Sequence, residues 1–381
     1  MGKIGKGVKM PKKVLVTGGA GFIGSFIVDE LLKNGYEVRI FDCLDPQVHP
    51  DGKVPEHLNR NAEFIKGDVR NYDEFKKALK GVNIVSHHAA AVGVGQSQYK
   101  INYYVDTNVT GTANLLDIIV NTKNNIEKMT VAASMSSYAE GNYNCKKCGT
   151  VNPQLRTEEQ VSSGEWELFC QKCNGLLKAI PTDEAKFQQC NSIYALTKKM
   201  QEEMVLNIGQ TYKIPCVALR YFNVYGPRQS LSNPYTGVTA IFMSRLKNDQ
   251  QPVVYEDGLQ TRDFISVYDI ARANIMAIEK EEANYKSFNI GTGNPITIKG
   301  VAEELARYYG KDIMPNIANK FRKGDVRHCY SDCTFAEKTL GFKPKVSFEK
   351  GMKELMVWAE EAYFEDRFED AARELKEKGL V

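Results

Sequence analysis

The chain has 381 residues, of which 43% are hydrophobic and 25% charged, and its formal net charge at pH 7 is +3. This length and composition predict a globular protein of two or three domain-sized units with a large buried core. The small net charge gives no indication of a nucleic-acid partner. No apolar run reaches the roughly 18 residues that a membrane span needs, and the N-terminus lacks the apolar core of a signal peptide, so we expect a cytoplasmic protein without a membrane partner.

Residues 1–12 carry spaced lysines and glycines, and we predict a disordered basic tail there. After this tail, β-branched apolar runs alternate with amphipathic stretches, which is typical of a parallel sheet covered by helices on both faces. We therefore predict a doubly wound α/β domain over residues 13–226. Its predicted strands are KVLVTG, EVRIFD, AEFIKGD, NIVSHHAA, KMTVAAS and PCVALRYFNVYG, and its predicted helices are FIVDELLKNG, DEFKKALKG, TNVTGTANLLDIIVNT and SIYALTKKMQEEMVLNIG.

Residues 142–181 interrupt this alternation. They contain two C-x-x-C pairs and a charged, turn-rich middle but no long apolar period, so we predict a small inserted module. Beyond residue 226 the pattern loosens into mixed elements and ends in the helical run KGMKELMVWAEEAYFEDRFEDAARELKEKG. We assign residues 227–381 mainly to a smaller mixed α/β substrate-binding domain and expect residues 261–290 to return to the first domain.

The segment VLVTGGAGFIGSFIVDELL places Gly18, Gly21 and Gly24 between the first predicted strand and the first predicted helix. Glycines at these positions permit a tight turn, a close approach of the backbone to a pyrophosphate, and close packing of the helix on the sheet. An ordinary strand-to-helix turn could contain the same three glycines. Their position after the first strand favours a dinucleotide-binding turn.

Two strand-end acids suit the adenosine half of a dinucleotide. Asp42 follows Gly24 by 18 residues, and a carboxylate there binds both ribose hydroxyls and repels a 2′-phosphate, which favours NAD over NADP. A helix cap or a solvated loop acid is the alternative for Asp42. Asp68, within GDV at 67–69, is suited to the adenine edge, although an ordinary turn residue would look the same.

Tyr194 and Lys198 are four residues apart on a predicted helix, so their side chains share one face. A nearby ammonium favours the phenolate and would lower the tyrosine pKa from about 10 towards the range of a general base. The same spacing occurs by chance on many helices, but the glycine turn upstream favours the functional interpretation. Ser134 ends the strand KMTVAAS, and the carboxyl ends of parallel strands face the ligand crevice, where its hydroxyl can bind a substrate oxygen.

In this order, TGGAGFIG, GDV, Ser134 and YALTK resemble the motifs of the extended short-chain dehydrogenase/reductase family, in particular its NAD-dependent nucleotide-sugar epimerases and dehydratases. The resemblance covers nearly the whole chain outside the insertion and extends to HHAA, RYFNVYGPRQ, GLQTRDFISVYDIA, NIGTG and GDVRH. It implies a Rossmann-type fold for the first domain. It also implies that Tyr194 is the catalytic acid/base, that Lys198 holds the nicotinamide ribose, and that Ser134 assists.

The same resemblance implies further contacts. Tyr221 is expected at the nicotinamide and Asn223 at the sugar diphosphate. Arg262 and Arg327 are expected to clamp the phosphates or the nucleotide, a role that suits the planar guanidinium fork, with a surface ion pair as the alternative. The remaining implied contacts are Phe22, Ile23, Val69, Ala89, Ala90 and Asn108 to the cofactor and Ser136 to the substrate.

Two positions depart from the family pattern. The usual tyrosine-glycine after the serine appears as Tyr138-Ala139, so the backbone of this loop is expected to differ slightly. The 4,6-dehydratases of the family carry threonine, aspartate and glutamate in succession at the serine position, because elimination of water needs an acid and a base besides the tyrosine. Met135 and Ser136 cannot supply them, which favours epimerisation over dehydration.

The implied reaction is a 4-epimerisation. Tyr194 takes the proton of the sugar's 4-hydroxyl while hydride passes from carbon 4 to NAD, and the keto sugar then receives the hydride on its opposite face. VGVGQS, SLSNPYTGVTAIF, EDGLQTRDF and DRFEDAARELKEKGLV look most similar to a bacterial subgroup assigned as TDP-L-rhamnose 4-epimerases, which implies a TDP-6-deoxyhexose substrate. The nearest alternatives are UDP-glucose and UDP-N-acetylglucosamine 4-epimerases. Less favoured are a 4,6-dehydratase, a decarboxylase and a non-catalytic NAD-binding scaffold whose inserted module docks a protein or nucleic acid.

The inserted module contains Cys145 and Cys148 and, after 21 intervening residues, Cys170 and Cys173. This spacing is typical of the two knuckles of a zinc ribbon. Four thiolates complete a tetrahedral zinc site and leave no position for water, so the predicted metal is structural. The alternatives are spare thiols or a redox pair, although a redox pair is expected at a strand-helix junction, where neither pair is predicted.

The module lies between Ser134 and Tyr194, so we expect it to stiffen or cover the loop that joins them. Loss of its metal is expected to weaken sugar-nucleotide turnover more than NAD binding. The family resemblance also implies a homodimer, formed through a four-helix interface that includes TNVTGTANLLDIIVNT and the Tyr194 helix.

Overall fold

The computed structural model describes residues 11–233, 235, 237–362 and 366–381, so residues 1–10 of the predicted tail lie outside the described range. The strands, in chain order, are β1 Lys13–Thr17, β2 Glu37–Asp42, β3 Glu63–Lys66, β4 Ile84–His87, β5 Lys128–Ser134, β6 Asn142–Cys145, β7 Gly149–Val151, β8 Lys178–Ile180, β9 Cys216–Tyr221, β10 Asn223–Tyr225, β11 Val253–Val254, β12 Thr261–Ser266, β13 Lys286–Ile290, β14 Pro295–Thr297, β15 Asn316–Ile317 and β16 His328–Cys329.

The helices are α1 Phe22–Lys33, α2 Tyr72–Ala78, α3 Val94–Ser97, α4 Ile101–Tyr104, α5 Gly111–Asn121, α6 Glu158–Ser162, α7 Ile193–Tyr212, α8 Val238–Lys247, α9 Val267–Glu279, α10 Ile298–Tyr308, α11 Thr334–Leu340, α12 Phe348–Glu361 and α13 Phe368–Glu377. A π-helical segment, Val105–Thr110, joins α4 to α5. Within the described residues, none of these helices has the length and apolar character that crossing a membrane would require.

Seven parallel strands form the central sheet in the order β13-β9-β5-β4-β1-β2-β3. The strand order reverses between β1 and β4, and in such sheets the ligand crevice lies outside the carboxyl ends of the strands at this point. One apolar core packs α2, α5 and α7 on one face of the sheet, and a second core packs α1 and α9 on the other face. The predicted Rossmann-type doubly wound fold is therefore confirmed.

A smaller body contains short strands and the helices α8, α10 and α12, which share a separate apolar core. In it, β12 pairs with β10, β14 and β16, while β11 pairs with β15. Residues 261–290 are divided: β12 belongs to this small sheet, whereas β13 is an edge strand of the central sheet and α9 packs on α1. The domain boundaries predicted at 13–226 and 227–381 stay predictions.

The inserted module is a three-stranded antiparallel sheet in the order β7-β6-β8, with α6 in the connection between β7 and β8. Its small core consists of Tyr143, Cys145, Leu168, Cys170 and Leu177. Asn142 in β6 pairs with Ile180 in β8, so the chain enters and leaves the module at neighbouring positions.

Candidate active site

A cavity of about 630 Å³ lies at the carboxyl ends of the central strands. Strand ends from the sheet form its floor, and residues of the smaller body form its opposite wall. Seventeen side chains or backbone positions predicted for the cofactor or substrate line this cavity: Gly18, Gly21, Phe22, Ile23, Gly24, Asp42, Asp68, Val69, Ala89, Ala90, Ser134, Ser136, Tyr194, Lys198, Tyr221, Asn223 and Arg262. Two predicted residues, Asn108 and Arg327, do not line it.

The glycine turn between β1 and α1 requires glycine at two positions. Gly18 has φ +68°, and a Cβ there would meet the backbone N of Ala89 at 2.9 Å. At Gly24 a Cβ would meet the carbonyl O of Gly18 at 2.2 Å, so a side chain would force α1 away from the turn. Because α1 starts at Phe22 without an acidic residue in its first turn, its N-terminus is suited to an anionic pyrophosphate.

The carboxylate of Asp42 is held in place by two backbone N–H groups. Its Oδ2 accepts from the backbone N–H of Ala20 at 3.0 Å, and its Oδ1 accepts from that of Leu44 at 2.9 Å. Asp68 instead pairs with Arg70, whose Nη2 lies 2.5 Å from Asp68 Oδ2. The Asp42 carboxylate is thereby fixed at the edge of the cavity, as a ribose-binding acid needs to be.

The helix α7 carries Tyr194 and Lys198 into the cavity. Its start is fixed by Ser192, whose Oγ accepts from the backbone N–H of Ala195 at 3.1 Å, and by Ser97, whose Oγ accepts from that of Tyr194 at 3.0 Å. A capped N-terminus of this kind sets the position of the first helical turn. The predicted helix and the common face of the two side chains are therefore present in the structure.

The electrostatics of Tyr194 differ from the expectation. Burial raises the pKa of Tyr194, while the Ser134 hydroxyl is close enough to lower it by hydrogen bonding. Burial also lowers the pKa of Lys198 to about 7, which the nearby Glu202 opposes, and Lys198 Nζ donates to Gln201 Oε1 at 2.8 Å. The expected fall of the tyrosine pKa is absent from this geometry because desolvation of both groups is the larger effect.

Ala139 occupies the position where the family pattern has glycine. It is buried, lines the cavity and adopts φ 58° and ψ −119°, a conformation that L-residues with a Cβ rarely adopt. The expected difference from the family backbone stays a prediction. The chain keeps a glycine-like turn here despite the methyl group.

Asn108, predicted to bind the cofactor, acts behind the cavity wall. It is fully buried in the π-helical segment, where its Oδ1 accepts from Ala91 N at 2.7 Å and its Nδ2 donates to Thr197 Oγ1 at 2.9 Å. These bonds tie the segment of Ala89 and Ala90 to α7. Asn108 is therefore absent from the cavity lining in this structure and positions its wall, and its contact with the cofactor stays a prediction.

Arg327, predicted to clamp phosphate, is likewise absent from the cavity lining. Its side chain is 0% exposed and pairs with Glu256 at 2.8 Å, Asp257 at 2.7 Å and Glu167 of the inserted module at 2.6 Å. Three carboxylates already occupy its guanidinium, so it has no donor to offer a substrate phosphate. Motif position alone suggested the clamp, whereas the partners that bind the side chain are remote in sequence.

Arg322 is a cavity residue that the sequence reasoning missed. It lines the same wall as Arg262, its guanidinium stacks over the Tyr255 ring at 5.0 Å, and its Nε donates to Asp325 Oδ2 at 2.8 Å. The segment FRKGDVRH contains Arg322 and Arg327, one on each side of the GDV triplet. That segment was the available signal, but the sequence does not say which of the two faces the cavity.

The four cysteines of the module form one cluster. Their Sγ atoms lie within 4.8 Å of one another, and Cys145 Sγ is 3.4 Å from Cys173 Sγ. Tetrahedral zinc with Zn–S bonds of about 2.3 Å needs sulfur atoms about 3.8 Å apart, so the cluster fits this metal. Backbone N–H groups of Lys147 and Cys148 lower the pKa of Cys145 to about 6, which favours the thiolate that binds metal.

Two family models match the chain. Residues 14–159 match the NAD dependent epimerase/dehydratase family, and residues 170–355 match GDP-mannose 4,6 dehydratase. A dTDP-L-rhamnose 4-epimerase of Burkholderia thailandensis is 35% identical over 350 residues, which make up 91% of this chain and 94% of that protein. The chain belongs to the NAD-dependent epimerase/dehydratase family. The predicted membership in the extended short-chain dehydrogenases/reductases is thereby confirmed.

Solved structures of this epimerase/dehydratase family share the fold described above. UDP-glucose 4-epimerase from Thermotoga maritima, solved with UDP-glucose, is 31% identical and superposes with a TM-score of 0.75 over 91% of this chain and 98% of that one. UDP-glucuronic acid 4-epimerase from Bacillus cereus, solved with UDP-glucuronic acid and NAD, is 27% identical, with a TM-score of 0.75 over 92% of this chain and 100% of that one. Both named activities are epimerisations at carbon 4 of a nucleotide sugar.

Proposed function

We propose that the protein is an NAD-dependent nucleotide-sugar 4-epimerase. One observation carries the proposal: Ser134, Tyr194 and Lys198 line the same cavity as a glycine turn in which a Cβ has no room at Gly18 and Gly24. The relatives named as 4-epimerases support the same reaction class. Met135 and Ser136 lack the acid and base that dehydration needs, which favours epimerisation over the dehydratase alternative.

The residues that would hold NAD are those of the sheet edge. The glycine turn and the start of α1 would bind the pyrophosphate, Asp42 the adenosine ribose, and Lys198 the nicotinamide ribose. When bound there, NAD supplies an acceptor for the carbon 4 hydride and returns it. The NAD-containing relative supports this assignment.

Tyr194 moves the proton of the sugar's 4-hydroxyl. Its hydroxyl is buried, so loss of its proton depends on neighbouring groups that favour the phenolate. Ser134 lies within hydrogen-bonding reach, and Lys198 lies one helical turn away with an ammonium that titrates near neutral pH. Both groups favour the phenolate when the ammonium is charged, and Ser134 can also bind the 4-oxygen.

The nucleotide end of the substrate would be held by arginines, which leaves the hexose free to turn over. Arg262 and Arg322 line the wall opposite the sheet and can bind phosphate oxygens in pairs. Firm binding of the diphosphate with loose binding of the sugar is what return of hydride to the opposite face requires.

We propose a TDP-6-deoxyhexose such as TDP-L-rhamnose as the substrate. The relative that is 35% identical is named for this activity. In addition, apolar side chains line the cavity near Ser97, which hydrogen-bonds to the start of α7. Val92 and Val94 are exposed to the cavity, and Leu375 packs against Gly95. Such a wall suits the methyl group of a 6-deoxy sugar better than a hydroxymethyl group. UDP-glucose or UDP-N-acetylglucosamine is the second candidate, supported by the UDP-glucose 4-epimerase structure.

The test is incubation of the purified protein with a panel of TDP- and UDP-hexoses, with products read by proton NMR. Interconversion of 4-epimers is expected, and Tyr194→Phe should reduce turnover by at least about 1,000-fold while sparing nucleotide binding, because the ring remains and only the proton-transferring hydroxyl is lost. Retained turnover in Tyr194→Phe would refute the assigned role. Tight binding of DNA or RNA without conversion of any sugar would instead favour the scaffold alternative.

We further propose that Cys145, Cys148, Cys170 and Cys173 bind one structural zinc ion. The mutual Sγ distances and the antiparallel sheet on which the first knuckle sits support this assignment. Four protein ligands leave no open coordination position, so the ion has no direct part in the reaction. A cytoplasmic location is proposed with it, since none of the nine cysteines forms a disulfide in this structure and a reducing compartment keeps them so.

We propose a homodimer through the helices that precede and carry Tyr194. Four large apolar side chains there are more than one third exposed: Ile101 at 46%, Val105 at 39%, Leu196 at 46% and Met200 at 44%. Leu196 and Met200 are one turn apart on α7, so they form a continuous apolar strip on its surface. A second copy of the chain would cover this strip.

A further inference from the structure

An ionic cluster with a buried centre connects the inserted module to the smaller body, and its member Glu167 is 40% exposed. Its centre is Arg327, whose guanidinium donates five hydrogen bonds: Nε and Nη2 to Glu167, Nη1 to Glu256, and both Nη atoms to Asp257, at 2.6 to 3.0 Å. Every N–H of the guanidinium is therefore used. The hydrogen bond from His328, together with that from Arg327, lowers the pKa of Glu167 to about 2, so Glu167 stays charged in this cluster.

The module contributes a second arginine to the same cluster. Arg156 is 2% exposed, and its Nη2 donates to Glu256 Oε1 at 2.7 Å and to the carbonyl O of Asp325 at 3.1 Å. Two of the five charged members, Arg156 and Glu167, thus come from the module. Removing either one would leave a buried opposite charge incompletely paired.

The cluster borders the wall of the cavity that carries the phosphate-binding candidates. Residues 322–326 line the cavity and lead directly into Arg327. The backbone N–H of Arg327 donates to Glu140 Oε1 at 2.7 Å, and Arg262 donates to the carbonyl O of Val326 at 2.6 Å and of Arg327 at 3.1 Å. The backbone at 326–327 is thus held by Glu140, which precedes the module, and by Arg262, which lines the cavity.

The two residues that flank the module, Gly141 and Thr182, form hydrogen bonds to residues 328–330 of the same segment. Gly141 N donates to the carbonyl O of His328 at 2.8 Å, and Thr182 N donates to that of Tyr330 at 2.8 Å. A Cβ at Gly141 would meet Thr182 Oγ1 at 2.7 Å, so entry and exit of the module are packed closely on this strand. A change in the module is therefore passed to residues 322–331 through both backbone and side-chain bonds.

We propose that Arg156 and Glu167 are positioning residues for the substrate's diphosphate: through Arg327 they fix the wall that carries Arg322 and orients Arg262. The identity of the ligand rests on the proposed function. Loosening this cluster is expected to weaken binding of the nucleoside diphosphate and to raise KM for the sugar nucleotide. The glycine turn and α7 make no contact with the cluster in the bonds described above, so NAD content and kcat should change little.

The test compares two matched charge-neutralising substitutions in the module, made in the NAD-loaded protein. Glu167→Gln removes the charge that pairs with Arg327, whereas Glu165→Gln removes an exposed carboxylate of the same module. Affinity for UDP and for TDP is measured by calorimetry, and exchange of backbone amides is followed in residues 322–331. We expect at least about tenfold weaker binding and faster exchange for Glu167→Gln, and less than about twofold change for Glu165→Gln.

If the ionic cluster contributes only to the stability of the fold, a different result is expected. Glu167→Gln would then lower the unfolding temperature without selective loss of nucleotide affinity, and that outcome overturns the proposal. Glu167→Asp keeps the charge and should recover part of the affinity; no recovery together with normal amide exchange would also count against it. If the wild-type protein binds UDP or TDP but converts no sugar, only the 4-epimerase assignment fails. If it binds neither nucleotide, the positioning role fails as well.

Discussion

Lys198 is 4% exposed, and burial lowers the pKa of its ammonium group from 10.5 to about 7 in the NAD-free protein. A lysine with a lower pKa in the folded chain binds fewer protons there than in the unfolded chain between these two pH values. The free energy of unfolding contributed by Lys198 should therefore rise with pH across this window, and below pH 7 the charged lysine costs on the order of 5 kcal/mol.

Lys198→Met is expected to remove this rise. Urea unfolding of the NAD-free protein from about pH 7 to about pH 9.5 checks it, with the wild type measured under the same conditions. We expect the difference in free energy of unfolding between the two proteins to narrow as the pH rises. If the free energies of unfolding of the two proteins change in parallel with pH, Lys198 is not desolvated as described.

Local pattern predicted those site residues whose position depends on a strand end. Gly18, Asp42 and Ser134 follow apolar runs whose period fixes where each strand stops, and all three line the cavity. Arg327 could not be placed in this way, because its partner Glu167 is 160 positions away in the chain and belongs to another module. A side chain's direction depends on such partners, and the sequence does not show which ones fold together.

At the scale of elements, α7 is joined to the central sheet by a buried ion pair. Glu202 on α7 accepts from Arg220 of β9 at 2.6 Å, and both side chains are less than one tenth exposed. Glu202→Gln is expected to lower the free energy of unfolding by about 3 kcal/mol, because it leaves a buried arginine without its counter-charge. The control is Glu203→Gln, whose exposed pair with Lys199 at 3.5 Å should contribute less than about 1 kcal/mol. If chemical denaturation shows that both variants lose the same free energy of unfolding, the buried pair does not make the larger contribution expected of it.

The cysteine module is a second element with a direct test. Freshly purified protein should contain one zinc per chain by elemental analysis, and Cys170→Ser should lose the metal because a hydroxyl does not replace a thiolate in a four-sulfur site. Cys190→Ser, outside the module, serves as the control and should keep the metal. Fresh wild-type protein without zinc would refute the site.

The helices and strands of the central sheet were predictable because each has a clear apolar period. The smaller body was harder, since β11, β15 and β16 have only two residues each and exist through pairing with remote segments. The long C-terminal helical run is likewise described as two helices, α12 and α13. Short elements of this kind depend on tertiary contacts more than on local propensity.

At the scale of the whole molecule, the exposed strip on α7 predicts association. Leu196→Asp should convert a dimer into a monomer at micromolar concentration, because a charge would be buried in the apolar interface. Light scattering after size-exclusion chromatography measures the mass. Val357→Asp, at a 66% exposed valine on α12, is the control and should leave the mass unchanged. A wild-type protein that is already monomeric would refute the proposed interface.

The paired positions of Asn142 and Ile180 have an evolutionary consequence. Opposite residues of antiparallel strands lie about 5 Å apart, so a short turn could rejoin the chain if the module were deleted. A segment with such adjacent ends can enter or leave a gene as one unit without changing the strand order of its host. Once Arg156 and Glu167 share an ionic network with Glu256 and Arg327, however, a clean excision leaves the two buried host residues with fewer partners. The network thus makes the acquisition of the module hard to reverse.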